Sequence, residues 1–212
     1  MPVRRGSFSD QMDKPDPTRQ QDTPDPADPI ADHGSRETGN PGLTSVRELY
    51  RGRVFGFFEE EVTLPNGRRA AYGVVRHPGS TGIVPVADDG TIVMTRQYRH
   101  PAGEYLLEIP AGTNDPGETP LVCAHRELEE ETGMAAGEML LLNRIHILPA
   151  YTDELIHVYL ARRLRPTRQD LDPDEIITVE RHSMDALMAM IAEGRITDAL
   201  TILALHRAQA YL

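Results

Sequence analysis

Residues 112–134 read Gly-Thr-Asn-Asp-Pro-Gly-Glu-Thr-Pro-Leu-Val-Cys-Ala-His-Arg-Glu-Leu-Glu-Glu-Glu-Thr-Gly-Met, a loop that turns into a helix and ends in a run of acid. Thr119-Pro120 supplies a hydroxyl cap followed by proline at the first helical position, where its missing N–H is no loss. Gly133 supplies a left-handed stop, so the helix is expected to run to about Thr132. Its last turn and a half carries Glu127, Glu129, Glu130 and Glu131. Like charges three or four residues apart repel by roughly 0.2–0.5 kcal/mol per pair, and carboxylates near a helix C-terminus oppose the macrodipole by roughly 0.3–1 kcal/mol each. Glu127, Glu130 and Glu131 are expected on one face. A hard divalent cation, Mg²⁺ or Mn²⁺, would turn that repulsion into ligation, sharing its shell between carboxylates, water and phosphate. A solvated acidic face is the other reading of such a charge run.

Outward from this helix, turn chemistry marks the remaining elements. Extended runs at 54–64 and 69–75 flank Pro65-Asn66-Gly67, and Asn-Gly between such runs is the strongest short hairpin signal. Runs at 82–87 and 91–98 flank Asp88-Asp89-Gly90 and predict a second hairpin by the same logic. A strand at 105–109 leads into Pro110-Ala111-Gly112. Beyond the helix come strands at 139–147, 155–161 and 176–181, then helices at 183–193, stopped by Gly194, and 197–210. Sheet with helices on its faces, neither strictly alternating β-α-β nor all-β, reads as an α+β sandwich. Residues 1–45 repeat Asp-Pro pairs (Asp16-Pro17, Asp25-Pro26, Asp28-Pro29) with almost no periodic apolar residues. They are expected to form a disordered tail, because they bury too little surface to offset the entropy of ordering. The expected division is this tail, an N-terminal antiparallel sheet at 46–76 and a main domain at 77–212.

Composition narrows the chemistry. With 212 residues, 39% hydrophobic and 26% charged, the chain can bury one good-sized core. No run approaches the roughly 20 apolar residues that span a bilayer and no secretory signal is visible, so a cytoplasmic protein without a membrane partner is expected. A net charge of −11 disfavours nucleic acid and anionic lipid, while leaving room for a small anion if cations mediate its binding. The single cysteine, Cys123, rules out an intramolecular disulfide or a cysteine-built zinc cluster, and its helical position suits a small core residue. The single lysine, Lys14, lies in the tail, which argues against Schiff-base and P-loop chemistry and leaves positive charge to Arg, His or metal.

The pattern Gly112-x5-Glu118-x7-Arg126-Glu127-Leu128-x-Glu130-Glu131-x-Gly133-Met134 resembles the Nudix box at every defined position, a match expected by chance in roughly one chain in ten million at average residue usage. In Nudix hydrolases this segment is a loop-helix-loop that holds two or three divalent ions against a substrate diphosphate. The resemblance implies Glu127 and Glu131 as principal metal ligands, with Glu130 acting directly or through water. It implies the Ala111 carbonyl as a further metal contact, Arg126 as the residue that orients the glutamates, and Glu118 as its support. Gly112 permits the tight loop. The implied fold is a Nudix-type α/β/α sandwich with a mixed sheet, preceded by a small antiparallel N-terminal sheet.

Beyond the box, Val93-Met94-Thr95-Arg96-Gln97-Tyr98-Arg99, Leu106-Leu107-Glu108-Ile109-Pro110-Ala111-Gly112 and Pro149-Ala150-Tyr151-Thr152-Asp153-Glu154 resemble the ADP-ribose pyrophosphatase and nucleotide-sugar branch. Pro149 falls sixteen residues after Gly133. This implies Arg99 on a substrate phosphate, Glu108 on metal-bound water, Glu175 of the late acidic loop (or a box glutamate such as Glu130) as general base, and Phe55 and Tyr72 as adenine contacts. It also implies a homodimer and a reaction that splits ADP-ribose or a related nucleotide sugar into a nucleoside monophosphate and a sugar phosphate. Tyr151, eighteen residues after Gly133, is similar to the tyrosine of diadenosine-polyphosphate hydrolases and keeps that substrate class open. A non-catalytic nucleotide sensor is a further alternative, although such proteins usually lose box glutamates that this chain retains. His146 and His157 lie in strand patterns and read as structural, and His100 has no supporting motif.

Overall fold

A computed structural model describes residues 41–173 and 175–212. Most of the expected tail, residues 1–40, lies outside the described residues. Order begins earlier than position 46: strand β1, Leu43–Arg51, takes in the last residues assigned to the tail and pairs with β2, Gly56–Thr63, which pairs with β3, Arg69–Arg76. The hairpin expected at Asn66-Gly67 is present. Thr63 faces Arg69, the Gly67 N–H donates to the Leu64 carbonyl at 2.8 Å, and Gly67 takes the positive φ (+79°) that this turn requires.

The chain continues through β4 (Ser80–Pro85), β5 (Ile92–Arg99), β6 (Glu104–Glu108), β7 (Ala111–Thr113), α1 (Pro120–Thr132), β8 (Met134–His146), β9 (Leu155–Pro166), β10 (Ile177–His182), α2 (Met184–Ala192) and α3 (Ala199–Ala208). Helix α1 has the expected ends: the Thr119 hydroxyl accepts from the Val122 N–H, and Gly133 caps it in the left-handed conformation with its N–H on the Glu129 carbonyl. Two strands were not foreseen, β1 and the short β7, and β8 starts five residues before the expected 139, directly after Gly133.

The second expected hairpin does not form. Asp88-Asp89-Gly90 does turn the chain tightly, with the Asp89 carboxylate accepting from both the N–H and the hydroxyl of Thr91. Yet β4 and β5 enter different sheets and meet only at the Val86–Ile92 bridge. Strand β4 already has both edges filled, by β7 antiparallel and by β9 parallel, in a four-stranded mixed sheet ordered β7-β4-β9-β8. A local turn signal specifies reversal and not the partner.

All six residues of β4 are buried because neighbouring residues feed two layers. Ile83 packs with Ala124 and Leu128 of α1 and with Tyr159 and Ala161. Val84 packs on the opposite side with Val158, Leu160, Ile92, Met94 and the α3 residues Ala204 and Leu205. The mixed sheet thus lies between α1 and the C-terminal helices, as expected. The sheet β10-β5-β6 contributes Ile92, Met94 and Leu107 to the second layer. Cys123 is a core residue: it is fully buried, and desolvation pushes its thiol up to about 12, which leaves it unreactive. No described helix is long and apolar enough to cross a membrane.

Candidate active site

A cleft of about 740 Å³ opens where α1, β7 and the start of β4 meet the end of β5 and the late acidic loop. Gln97 and Arg99 reach it from β5, Ala111, Gly112 and Thr113 from β7, Arg126, Glu127 and Glu131 from α1, and Glu175 from the loop before β10. The acidic turn is not a solvated face. Glu131 is 2% exposed and Glu127 8%, while Glu129 is exposed and the Glu130 side chain is open to 40%.

Burial of these carboxylates is made possible from two directions. Gly112 leaves the space: a Cβ there would stand 1.9 Å from the Glu127 carboxylate, so only glycine admits that side chain. Arg126 supplies the charge. Its Nε and Nη2 grip both oxygens of Glu118 at 2.9 and 2.8 Å, its Nη1 bonds Glu127 at 2.6 Å and Glu130 at 2.9 Å, and Nη2 also donates to the Thr113 carbonyl. Burial alone would raise Glu118, but these bonds hold it below the usual carboxylate range.

One guanidinium does not suffice for the rest. Desolvation pushes Glu127 up to about 7, with Glu130 and Glu175 adding repulsion against the pull of Arg126. Glu131 is raised well above the ordinary range by desolvation first and by Glu127 next, and its one direct bond is from the Ala111 N–H at 3.2 Å. Glu108 is also raised by burial, although Arg99 bonds it at 2.9 Å. Buried oxygen donors short of positive charge, facing an open cleft, suit a hard divalent cation. Among the described residues no three His, Cys, Asp or Glu side chains already surround one point. The carboxylates line a wall, and an ion there would complete its shell with water or ligand oxygens, as Mg²⁺ does.

The late loop is tied to α1 through carbonyls that the helix end leaves unpaired. Thr167 N–H bonds the Gly133 carbonyl, the Gln169 side chain bonds Glu131, and Asp170 N–H bonds Glu130. This brings Glu175 to the cleft, where an Asp172–Glu175 turn holds it: Asp172 N–H donates to the Glu175 carboxylate at 3.1 Å. Of the expected site residues, Arg99, Glu108, Ala111, Arg126, Glu127, Glu130, Glu131 and Glu175 are thus brought to or beside one cleft. Phe55 and Tyr72 do not line it within a single chain. Both are exposed, and the Phe55 ring leans on Tyr50 with centroids 6.1 Å apart. Tyr151 is exposed outside the cleft, His146 ends β8 in the open, and His157 is half-buried in β9. Arg53, His77, Ser80 and Asn114 do line the cleft and carried no signal in the sequence, because only chain folding gathers them there.

The chain is similar to known proteins. The sequence profile described as NUDIX domain matches residues 76–203. An ADP-ribose pyrophosphatase of Bacillus subtilis is 34% identical over 164 residues, covering 76% of this chain and 89% of that protein. A methanol dehydrogenase activator of Bacillus methanolicus is 37% identical over 166 residues, covering 77% and 90%. A crystal structure of an ADP compounds hydrolase superposes with a TM-score of 0.70 at 25% identity, covering 80% of this chain and 92% of that one.

Proposed function

The chain belongs to the NUDIX family, and from that premise we propose that it cleaves the diphosphate of ADP-ribose or a related nucleotide sugar with the help of a divalent cation. It is a Nudix pyrophosphohydrolase of the ADP-ribose pyrophosphatase type. The observation that carries the cation is the burial of Glu127 and Glu131 with too little positive charge around them. These two carboxylates, with the Ala111 carbonyl and Glu130, would hold Mg²⁺ or Mn²⁺, two or three ions in all. Bound there, such ions supply the Lewis acidity that offsets diphosphate charge and acidifies water.

The protein's own groups do the rest. Arg99, its side chain 41% exposed and braced by Glu108, can grip a phosphate oxygen. Arg126 fixes Glu127 and Glu130 in place. Glu175, or Glu130 as the more open box carboxylate, takes the proton of the water that attacks phosphorus in line, and a nucleoside monophosphate and a sugar phosphate leave.

A second copy of the chain fits the N-terminal sheet. Leu49, Tyr50, Phe55, Phe57 and Tyr72 are all exposed there, and β1 is open along nearly its whole length. In a homodimer, Phe55 and Tyr72 would serve a cleft that they do not reach in one chain. Light scattering should return a dimer mass, and a monomer at micromolar concentration would overturn this arrangement.

The direct test is a screen of ADP-ribose, ADP-glucose, GDP-mannose, NADH and diadenosine polyphosphates with Mg²⁺ or Mn²⁺, following released monophosphate. Turnover of ADP-ribose or a nucleotide sugar that stops on chelation is expected. Survival of every compound would overturn the substrate class.

A further inference from the structure

Along the cleft, three polar residues, His77, Ser80 and Glu154, form a cluster that the reaction just described does not use. His77 precedes β4, Ser80 begins it, and Glu154 precedes β9, with which β4 pairs in parallel from Ser80–Ile156 onward. The Ser80 hydroxyl donates to Glu154 Oε1 at 2.6 Å, and His77 Nδ1 lies 3.6 Å from the same oxygen. The His77 backbone is clamped as well, its N–H donating to Asp153 at 2.9 Å. Its side chain is 11% exposed.

The imidazole has a defined polarity. The Gly79 N–H donates to Nδ1 at 3.1 Å, and a backbone donor can meet only an unprotonated ring nitrogen. The proton of the neutral ring is therefore on Nε2. Among the described residues nothing bonds Nε2, although the ring lines the cleft. Nε2–H is a donor in the neutral and the charged ring alike, so the cleft receives an N–H at this point in either state.

The surroundings indicate what it meets. Ser80 pairs with Thr113, Thr81 with Gly112 and Gly82 with Ala111, which places this cluster one to two residues along the strands, roughly 3–7 Å, from Gly112, against which Glu127 packs, and Ala111, whose N–H bonds Glu131. Arg99 and Arg126 stand on other walls of the cleft, on β5 and α1. The Glu154 carboxylate beside this donor repels a phosphate, whereas a hydroxyl can accept from the imidazole and donate to the carboxylate. Resting on the functional reading above, we propose that His77 is a specificity-determining residue whose Nε2–H binds a hydroxyl of the sugar on the second phosphate of the substrate, with Glu154 as the adjoining acceptor.

The test compares ADP-ribose with the methyl ester of ADP, which keeps the diphosphate and has no sugar on the second phosphate. In His77→Phe, kcat/KM for ADP-ribose should fall about tenfold, mostly through KM, while the methyl ester stays within about twofold of wild type. The methyl ester thereby controls for folding in the same preparation. His77→Gln, whose amide returns a donor near the Nε2 position, should recover most of the loss. An equal fall on both compounds, no fall on either, or a Gln variant no better than Phe would each overturn the proposal. If wild type cleaves neither ADP-ribose nor any nucleotide sugar, the functional reading fails and takes this proposal with it, whereas normal wild-type turnover with an indifferent His77→Phe removes the proposal alone.

Discussion

Two arginines sit among buried carboxylates in this protein, and the two regions differ in how far the charges balance. Where the N-terminal sheet joins the main sheet, Arg76 bridges Glu60, 3% exposed, and Asp153, which at 35% side-chain exposure keeps contact with water. One cation serves two acids, one of them hydrated. In the cleft, Arg126 bonds Glu118, Glu127 and Glu130, while among the described residues no arginine hydrogen-bonds Glu131 or Glu175, and Arg99 acts on Glu131 only through its field. The first cluster is a joint and holds itself together. The second is incomplete, and its deficit of positive charge is what a cation and its diphosphate ligand would fill.

The largest effect expected from this contrast is on turnover. Glu131→Gln should lower kcat/KM on ADP-ribose with Mg²⁺ by roughly a thousandfold, because it removes charge where the transition state needs it held. Glu175→Gln should lower it less, by about a hundredfold, as for a proton acceptor. A Glu131 variant within tenfold of wild type would mean that the buried carboxylates are no more functional than the joint.

Next in size is stability. Arg126→Met leaves Glu118 and Glu127 buried without a cation and should cost about 3 kcal/mol in denaturant unfolding. Arg76→Met should cost less, about 1–2 kcal/mol, since Asp153 can rehydrate and Arg76 is itself a third exposed. Equal losses would erase the distinction between the two regions.

Of similar size to the Arg76→Met loss, and spread over the pH scale, is a pH dependence of the metal-free protein. Glu127 is held near 7 in the fold against an ordinary 4.5, so the folded state binds its proton more tightly than the unfolded chain. The resulting stabilisation is complete below about pH 4.5 and is lost as pH rises through 7, a decline on the order of 2 kcal/mol. Thermal unfolding from pH 5 to 8 should show it, Glu127→Gln should reduce it, leaving the part that Glu131 and Glu108 contribute with the same sign, and Mg²⁺ should restore more stability at pH 8 than at pH 5. A metal-free protein that gains stability over this range would contradict the assigned burial.

Much of the site was legible because the chemistry is local. Thr119-Pro120 and Gly133 set the ends of α1, and Glu127 and Glu131 lie within one helical turn, so spacing alone brought them together. The hairpin at Asn66-Gly67 was legible for the same reason. The turn at Asp88-Asp89-Gly90 misled, since β4 takes its partners from β7 and β9, far along the chain. The strand β7 was hidden because its three residues, Ala111–Thr113, follow Pro110 and centre on Gly112, and so carry no strand pattern.

From the linear chain alone came the helix, its caps, the run of acid along it and the kind of ion such oxygens prefer, all properties of residues within a few turns of one another. Tertiary structure alone decided that Glu127 and Glu131 leave water while Glu129 and Glu130 stay open, that Arg126 is shared between two acids of the run and Glu118, and that His77 and Glu154 face the same cleft. Burial and long-range pairing depend on which distant segments pack together, and it is desolvation by those segments that turns an ordinary acidic turn into a site held short of charge.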